Sequence, residues 1–250
     1  MTRLLIPLII GLMLAGCKGD VQKPSTNTTK DTYTGLSALY ADKPIAIDGQ
    51  LDKQWNDVDW LPIDQVWLGD NLTPQDFKGQ YKVKYDENYL YVIANITDDK
   101  LYDQHEDGLY KYWDDDCLEI FVDQDRSKGT HTYSHNAFAY HIALDKNVVD
   151  YGPDSLPHYY NDHIVSARKS AGMRHTWEAA IKIYDDSYVD GQENTPTKLK
   201  SGHTMGFAIA YCDNDGSQER EHFIGSTAVA GADKNRGYID AGIFDELRLK

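Results

Sequence analysis

The sequence predicts an all-β protein, an antiparallel β-sandwich folded as a single domain over residues 37–250. Three observations carry this expectation. Short runs of alternating apolar and polar residues recur, as in Gln80–Tyr85 and Cys117–Asp123, and a period of two sends successive side chains to opposite faces of a strand. Polar turns punctuate these runs, among them Asp48-Gly49, Asp86-Glu87-Asn88 and Asp213-Asn214-Asp215-Gly216. No helical apolar period persists over ten or more residues. Many short strands broken by turns are the signature of a sandwich.

Taken in order, Lys43–Ile47 predicts a short strand, turned by Asp48-Gly49, with Trp55 in the core. Trp60 and Trp67 lie in a loop-like stretch, as packing or as exposed platforms. Gln80–Tyr85 and Tyr89–Ile96 form the clearest hairpin. Its first arm sets Tyr81, Val83 and Tyr85 opposite Lys82 and Lys84. Asp98–Tyr112 is a long polar loop, of a length that often carries binding. A strand at 117–123 and another near 136–144 follow, then a second long loop from Asp145 to Asn161 holding Tyr151, Tyr159 and Tyr160. Ile164–Ala167 and Thr176–Ile183 pair as strands, and 184–201 is irregular. Met205–Tyr211, Arg220–Ile224 and Phe244–Leu249 supply the last strands.

The N-terminus differs from the rest. Arg3, an apolar run from Leu4 to Met13, and Leu14-Ala15-Gly16-Cys17 have the layout of a secretory signal. The run falls short of the roughly 20 apolar residues that cross a bilayer. Leu14-Ala15-Gly16-Cys17 resembles the bacterial lipobox. That resemblance implies removal of residues 1–16 and lipid on Cys17. Lys18, in place of Asp, implies the outer membrane, so the expected location is the cell envelope. Residues 17–36 then form the lipidated Cys and a tether poor in apolar side chains, expected to stay disordered.

The formal net charge is −15, from 25 Lys and Arg against 40 Asp and Glu, and loss of Arg3 with the leader makes it more negative by one. Such a chain does not attract nucleic acid or an anionic membrane surface by charge; membrane contact is expected through the N-terminal lipid only. Of the three cysteines, Cys117 and Cys212 remain for the fold, as a disulfide or as buried thiols.

The stretch Trp113-Asp114-Asp115-Asp116-Cys117-Leu118-Glu119-Ile120-Phe121-Val122-Asp123 carries the functional signal. Leu118, Ile120 and Val122 point one way, and Cys117, Glu119 and Phe121 the other. An aromatic ring near the mouth of a strand can stack on the apolar face of a sugar, and a carboxylate can accept bonds from adjacent hydroxyls. The plainer expectation for Asp114–Asp116 is a solvated turn with one side chain bonding backbone amides. Asp116 and Glu119 also raise hydrolysis, which needs two carboxylates about 5–9.5 Å apart, but acidic residues are so abundant that any pair is weak evidence. No nucleophile elbow, phosphate loop or dinucleotide fingerprint occurs. The spacings of His131, His135, His141, His158 and His163 match no zinc signature, and surface histidines are expected. Haem is disfavoured: only Met173 and Met205 offer thioethers beyond the leader, and Cys-x-x-Cys-His is missing.

Five motifs in order now identify a family. Ile47–Trp55, Val83–Val92, Trp113–Asp123, Trp177-Glu178-Ala179-Ala180-Ile181 and Met205-Gly206-Phe207 together resemble carbohydrate-binding module family 9, over about 40–250. The resemblance implies an antiparallel sandwich that binds sugar ends between two Trp rings without catalysis. It implies Trp113 as one wall, Glu119 as a ligand for sugar hydroxyls, and Glu178 as scaffold. The family's Arg and Asn on the following strand align with His141 and Ala143, a departure. The second Trp is missing, since no Trp follows Trp177, and Phe223 or Tyr238 stands as its substitute. The family also implies structural Ca2+, placed at Asp123 and Asp125; no other cofactor is required. The expected function is a lipid-anchored, non-catalytic saccharide-binding protein. The alternative is an envelope interaction protein that keeps the fold without sugar.

Overall fold

The computed structural model describes residues 33–70 and 72–250. Residues 1–32, which hold the expected leader and the expected lipidation position Cys17, lie outside the described residues. Fourteen strands and two short 3₁₀ turns make up the regular structure of the described residues. One sheet runs β10 (Ile164–Ala171), β11 (Arg174–Ile181), β5 (Leu90–Asp98), β4 (Phe77–Tyr85), with the short β2 (Leu61–Ile63) also on β4. The other runs β14 (Asp245–Leu249), β12 (Thr204–Asp213), β6 (Cys117–Asp123), β7 (Phe138–Ala143), β8 (Val148–Tyr151), β9 (Pro157–Tyr159). There β13 (His222–Gly225) pairs with β12 and with β3 (Gln65–Leu68). All pairings within each sheet are antiparallel. The exception to the expected pattern is β1 (Ser37–Tyr40), which pairs in parallel with both β4 and β14 and joins the sheets along one edge.

The inner faces share one core. Tyr81, Val83, Leu90, Val92, Ala94, Trp177 and Ile181 of one sheet pack with Leu118, Ile120, Val122, Tyr140, Phe207, Ile209 and Tyr211 of the other. The period-two pattern of β6 therefore has a physical outcome: Leu118, Ile120 and Val122 fill the sandwich. Cys117, Glu119 and Phe121 face outward toward a second cluster, where Phe121 meets Trp67 and Phe244, and Trp67 in turn meets Phe223. This outer face is roofed by loops, and the cavity described below opens there.

Several expectations are corrected. Lys43–Ile47 is not a strand; Pro44 has no amide to donate, and Ile45 instead packs on the outer face of the first sheet against Trp55, Tyr91 and Ile93. The loop 145–161 contains the β8–β9 hairpin, too short to show an alternation. Trp67 is core, its Nε1 donating to the Thr227 carbonyl at 2.8 Å, while Trp60 lies under the Lys82 ammonium. Lys82 and Lys84 are buried, donating to the Trp55 carbonyl and to Asp57. Glu178 collects the amides of Asp48 and Gly49 and the Trp55 indole. It thereby fixes a turn in which Gly49 is left-handed (φ 73°) and a side chain would meet the Lys169 backbone.

Candidate functional site

Site geometry starts from the acidic run. Asp114, Asp115 and Asp116 are buried, not a solvated turn. Each clasps a loop by accepting backbone amides. Asp116 takes Tyr102 N at 2.6 Å and Asn214 N at 2.8 Å. Asp115 takes Gln104 N at 2.8 Å, and Asp114 takes Arg220 N at 3.2 Å. The Asp114 carbonyl also accepts from Asn214 Nδ2 at 2.6 Å. Burial, then the neighbouring Asp98, push the Asp116 carboxyl up to about 9. Both Asp116 oxygens are thus committed to structure, and it does not line the cavity that Glu119 lines. That removes the carboxylate pair considered for hydrolysis.

The clasp delivers Arg220. Its Nη1 lies 3.3 Å from Glu119 Oε1 and 3.0 Å from Cys212 Sγ, and its Nη2 donates to Asn235 Oδ1 at 3.1 Å. Glu119 Oε1 also meets His141 Nε2 at 2.7 Å and accepts from the Cys212 thiol at 3.0 Å. Burial alone would raise the Glu119 carboxyl; His141 and Arg220 outweigh it and hold it below its usual value. Burial would likewise lower the Arg220 guanidinium, but Cys212 and Glu119 raise it. Glu119 is therefore an anion engaged by side chains, not a loop staple.

A cavity of about 300 Å³ opens over this cluster. Trp113, Glu119, His141, Phe223 and Tyr238 all line it, with Arg220, Asn235, Tyr133, Asp150 and Tyr151. Trp113 is partly exposed and stacks at 29° on Tyr151, ring centres 6.5 Å apart; Tyr133 meets Tyr151 edge-on. Tyr112 lies beneath, its ring edge-on to His141 at 4.6 Å. Tyr238 is 46% exposed. Its segment is pinned where Gly237 presses on the Phe121 ring, leaving no room for a Cβ, and offers its carbonyl to His131 Nε2.

Phe223 has a different place from Tyr238. It is buried, edge-on to Trp67, and capped by the Arg220 guanidinium at 4.1 Å, so no free ring face is left for stacking. Asp123 is fully buried; its Oδ2 accepts Lys128 N at 2.7 Å while Oδ1 is buried with no partner. Asp125 accepts Ser127 N in the same turn. His131, His135, His141 and His163 are buried rather than surface residues. Cys117 and Cys212 are buried thiols facing each other in register across β6 and β12. Sequence reasoning misses Arg220, which reads only as the start of a strand. It also misses Tyr133, Asp150 and Asn235, whose loops converge only in three dimensions.

Residues 47–250 match the family described as carbohydrate family 9 binding domain-like. The endo-1,4-beta-xylanase A of Thermoanaerobacterium saccharolyticum is 32% identical over 129 residues, 48% of this chain and 10% of that protein. The exoglucanase XynX of Acetivibrio thermocellus is 34% identical over 100 residues, 40% of this chain and 8% of that protein. The chain thus spans about a tenth of the length of these curated relatives. Among solved structures, a carbohydrate binding module family 9 of Caldicellulosiruptor kristjanssonii in complex with cellotriose superposes with a TM-score of 0.64 at 20% identity, covering 86% of this chain and 93% of that one. A putative carbohydrate-binding protein from Bacteroides uniformis superposes at 0.60 with 12% identity, covering 87% and 100%. These two likenesses are of fold. The sequence match runs over most of the chain, and the protein belongs to the carbohydrate family 9 binding domain-like family.

Proposed function

We propose that this chain is a non-catalytic saccharide-binding protein. The observation that carries this is the cavity itself: Trp113, Tyr238, Glu119 and Arg220, scattered in sequence, line one open recess on the outer face of the second sheet. Half-open aromatic walls over a floor of charged hydrogen-bonding groups suit a ligand with apolar C–H faces and a rim of hydroxyls. The cellotriose and glucose complexes of the structural neighbours support the ligand class. Trp113 supplies one stacking face and Tyr238 the other, the role that Phe223 cannot take. Glu119 accepts from hydroxyls, and Arg220 and Asn235 bond to ring substituents. Arg220 brings a guanidinium to the site although the strand position aligned with the family's Arg holds His141.

Calorimetric titration against a panel of mono- and oligosaccharides, with Trp113→Ala alongside, tests this. A saturating heat for one sugar, with affinity about tenfold lower in the variant, is expected. A folded protein silent across a broad panel would overturn it, and would favour an envelope interaction protein.

The leader supports lipid on Cys17 and an outer-membrane anchor, checked by mass spectrometry of the membrane fraction and its loss in Cys17→Ser. The turn 123–129 fits a hard cation, since Asp123 Oδ1 is a buried oxygen without a partner beside a second carboxylate. Asp123 and Asp125 would hold Ca2+, which would neutralise both. A rise in melting temperature on adding Ca2+, absent in Asp125→Asn, is expected.

A further inference from the structure

Below the cavity floor, four donor atoms of another chemical kind converge. Donor atoms, one each from Cys117, Glu119, His141 and Cys212, lie within 4.8 Å of one another, and all four residues are buried. The fold brings them together from three neighbouring strands. Cys117 and Glu119 are two apart on β6 and share a face. Cys212 pairs with Cys117 in register from β12, and His141 pairs with Glu119 from β7. The remaining partners in register are both alanines, Ala210 opposite Glu119 and Ala143 opposite Cys117.

We propose that Cys117, Glu119, His141 and Cys212 form a binding site for a thiophilic divalent cation of the zinc class. Two thiolates, one imidazole and one carboxylate are a donor set that suits Zn2+. Around a tetrahedral ion with bonds of roughly 2.0–2.3 Å, neighbouring donors stand about 3.3–3.8 Å apart. The 2.7 Å from His141 Nε2 to Glu119 Oε1 and the 3.0 Å from Cys212 Sγ to Glu119 Oε1 need to open by less than about 1 Å to meet that spacing.

Two surrounding contacts support the assignment. His141 Nδ1 lies 3.1 Å from the Ala139 carbonyl. A proton on Nδ1 donated to that carbonyl leaves Nε2 free to ligate, the usual outer support of a metal-bound histidine. Arg220 Nη1 lies 3.0 Å from Cys212 Sγ, and a guanidinium aimed at sulfur is a partner for thiolate. The charges also close. Two thiolates, a carboxylate and a divalent ion sum to one negative charge, which Arg220 neutralises. Binding sends one proton from each thiol, and the Nε2 proton where present, to solvent. Glu119 and His141 line the cavity and the cysteines do not, so the ion enters from the cavity side and the sulfurs lie beneath it.

The test uses the metal alone, so it stands apart from the saccharide proposal. The purified, reduced full chain is titrated with Co2+ and then with Zn2+. One Co2+ per chain is expected, with the visible bands of a tetrahedral ion and a thiolate charge-transfer band, both displaced by Zn2+. Cys212→Ser and, separately, Glu119→Gln should each weaken binding by at least about tenfold, with circular dichroism confirming the fold. A folded, reduced chain that gives no tetrahedral Co2+ spectrum overturns the proposal. So does Co2+ binding that survives in the Cys117→Ser/Cys212→Ser double variant. A Cys117–Cys212 disulfide in protein isolated from its own cells would also overturn it, in favour of a covalent cross-link.

Discussion

Glu119 and Arg220 lie 101 positions apart in sequence and meet at 3.3 Å on the cavity floor, with side chains 2% and 9% exposed. Removing one member of a buried ion pair leaves the other charged and unsolvated, at a typical cost of about 3–5 kcal/mol. Here Glu119→Ala strands both Arg220 and His141. Urea denaturation should show a loss in that range, with Glu119→Gln costing less because the amide oxygen still accepts. Because Glu119 is held below its ordinary value, its stabilising contribution is present above the unfolded carboxyl range. It is lost as pH falls through the lower folded value.

How far that pair was legible in the sequence is instructive. Glu119 was readable because the alternation of β6 sets Leu118 and Ile120 inward and leaves its own side chain outward. Arg220 was not, because it gains its meaning from Asp114 holding its amide and Asp116 holding that of Asn214. Amide capture by a carboxylate across about a hundred residues leaves no periodicity. The same holds for β1, whose parallel pairing with β4 and β14 depends on both sheets already standing. The β8–β9 hairpin was hidden for another reason: strands of four and three residues are too short to separate from loop.

The three aromatic residues singled out in the sequence should separate into two kinds. Trp113 and Tyr238 keep exposed ring area at the cavity. Alanine at either should lower saccharide affinity about tenfold, near 1.4 kcal/mol, with little change in urea midpoint. Phe223 is buried beneath Arg220 and against Trp67. Phe223→Ala should cost about 3–5 kcal/mol of stability. A Phe223→Leu variant that keeps stability and loses no affinity would confirm that its ring is structure rather than wall.

The acidic clasp predicts a dynamic effect. Asp116→Ala leaves the amides of Tyr102 and Asn214 without their acceptor, at about 1–3 kcal/mol for each amide left buried and unpaired. Hydrogen exchange should rise in the loop after β5 and in 214–221 before it rises in β5 or β6. Since 214–221 carries Arg220, saccharide affinity should fall although Asp116 does not line the cavity. Unchanged exchange in both loops would argue against the clasp.

Asp150 gives the site a pH dependence. It lines the cavity, accepts the amides of Ala139 at 2.7 Å and Tyr151 at 2.8 Å, and is pushed up to about 6, chiefly by burial. A carboxyl raised on folding binds its proton more tightly in the folded state. Its contribution to stability is therefore full below the unfolded value and declines as pH rises through about 6. Asp150→Asn removes that slope. The stability difference between wild type and variant should carry a constant part from the altered amide bonds. Its wild-type advantage should shrink as pH rises from the ordinary carboxyl value of 3.8 to about 6, and stay level above that. Ligand affinity should move the opposite way. Ionised Asp150 has lone pairs to offer a hydroxyl, so wild-type affinity should rise through pH 6 while the Asn variant stays flat. Calorimetry at four or five pH values checks both, and parallel pH profiles for the two proteins would exclude Asp150 from the site's chemistry.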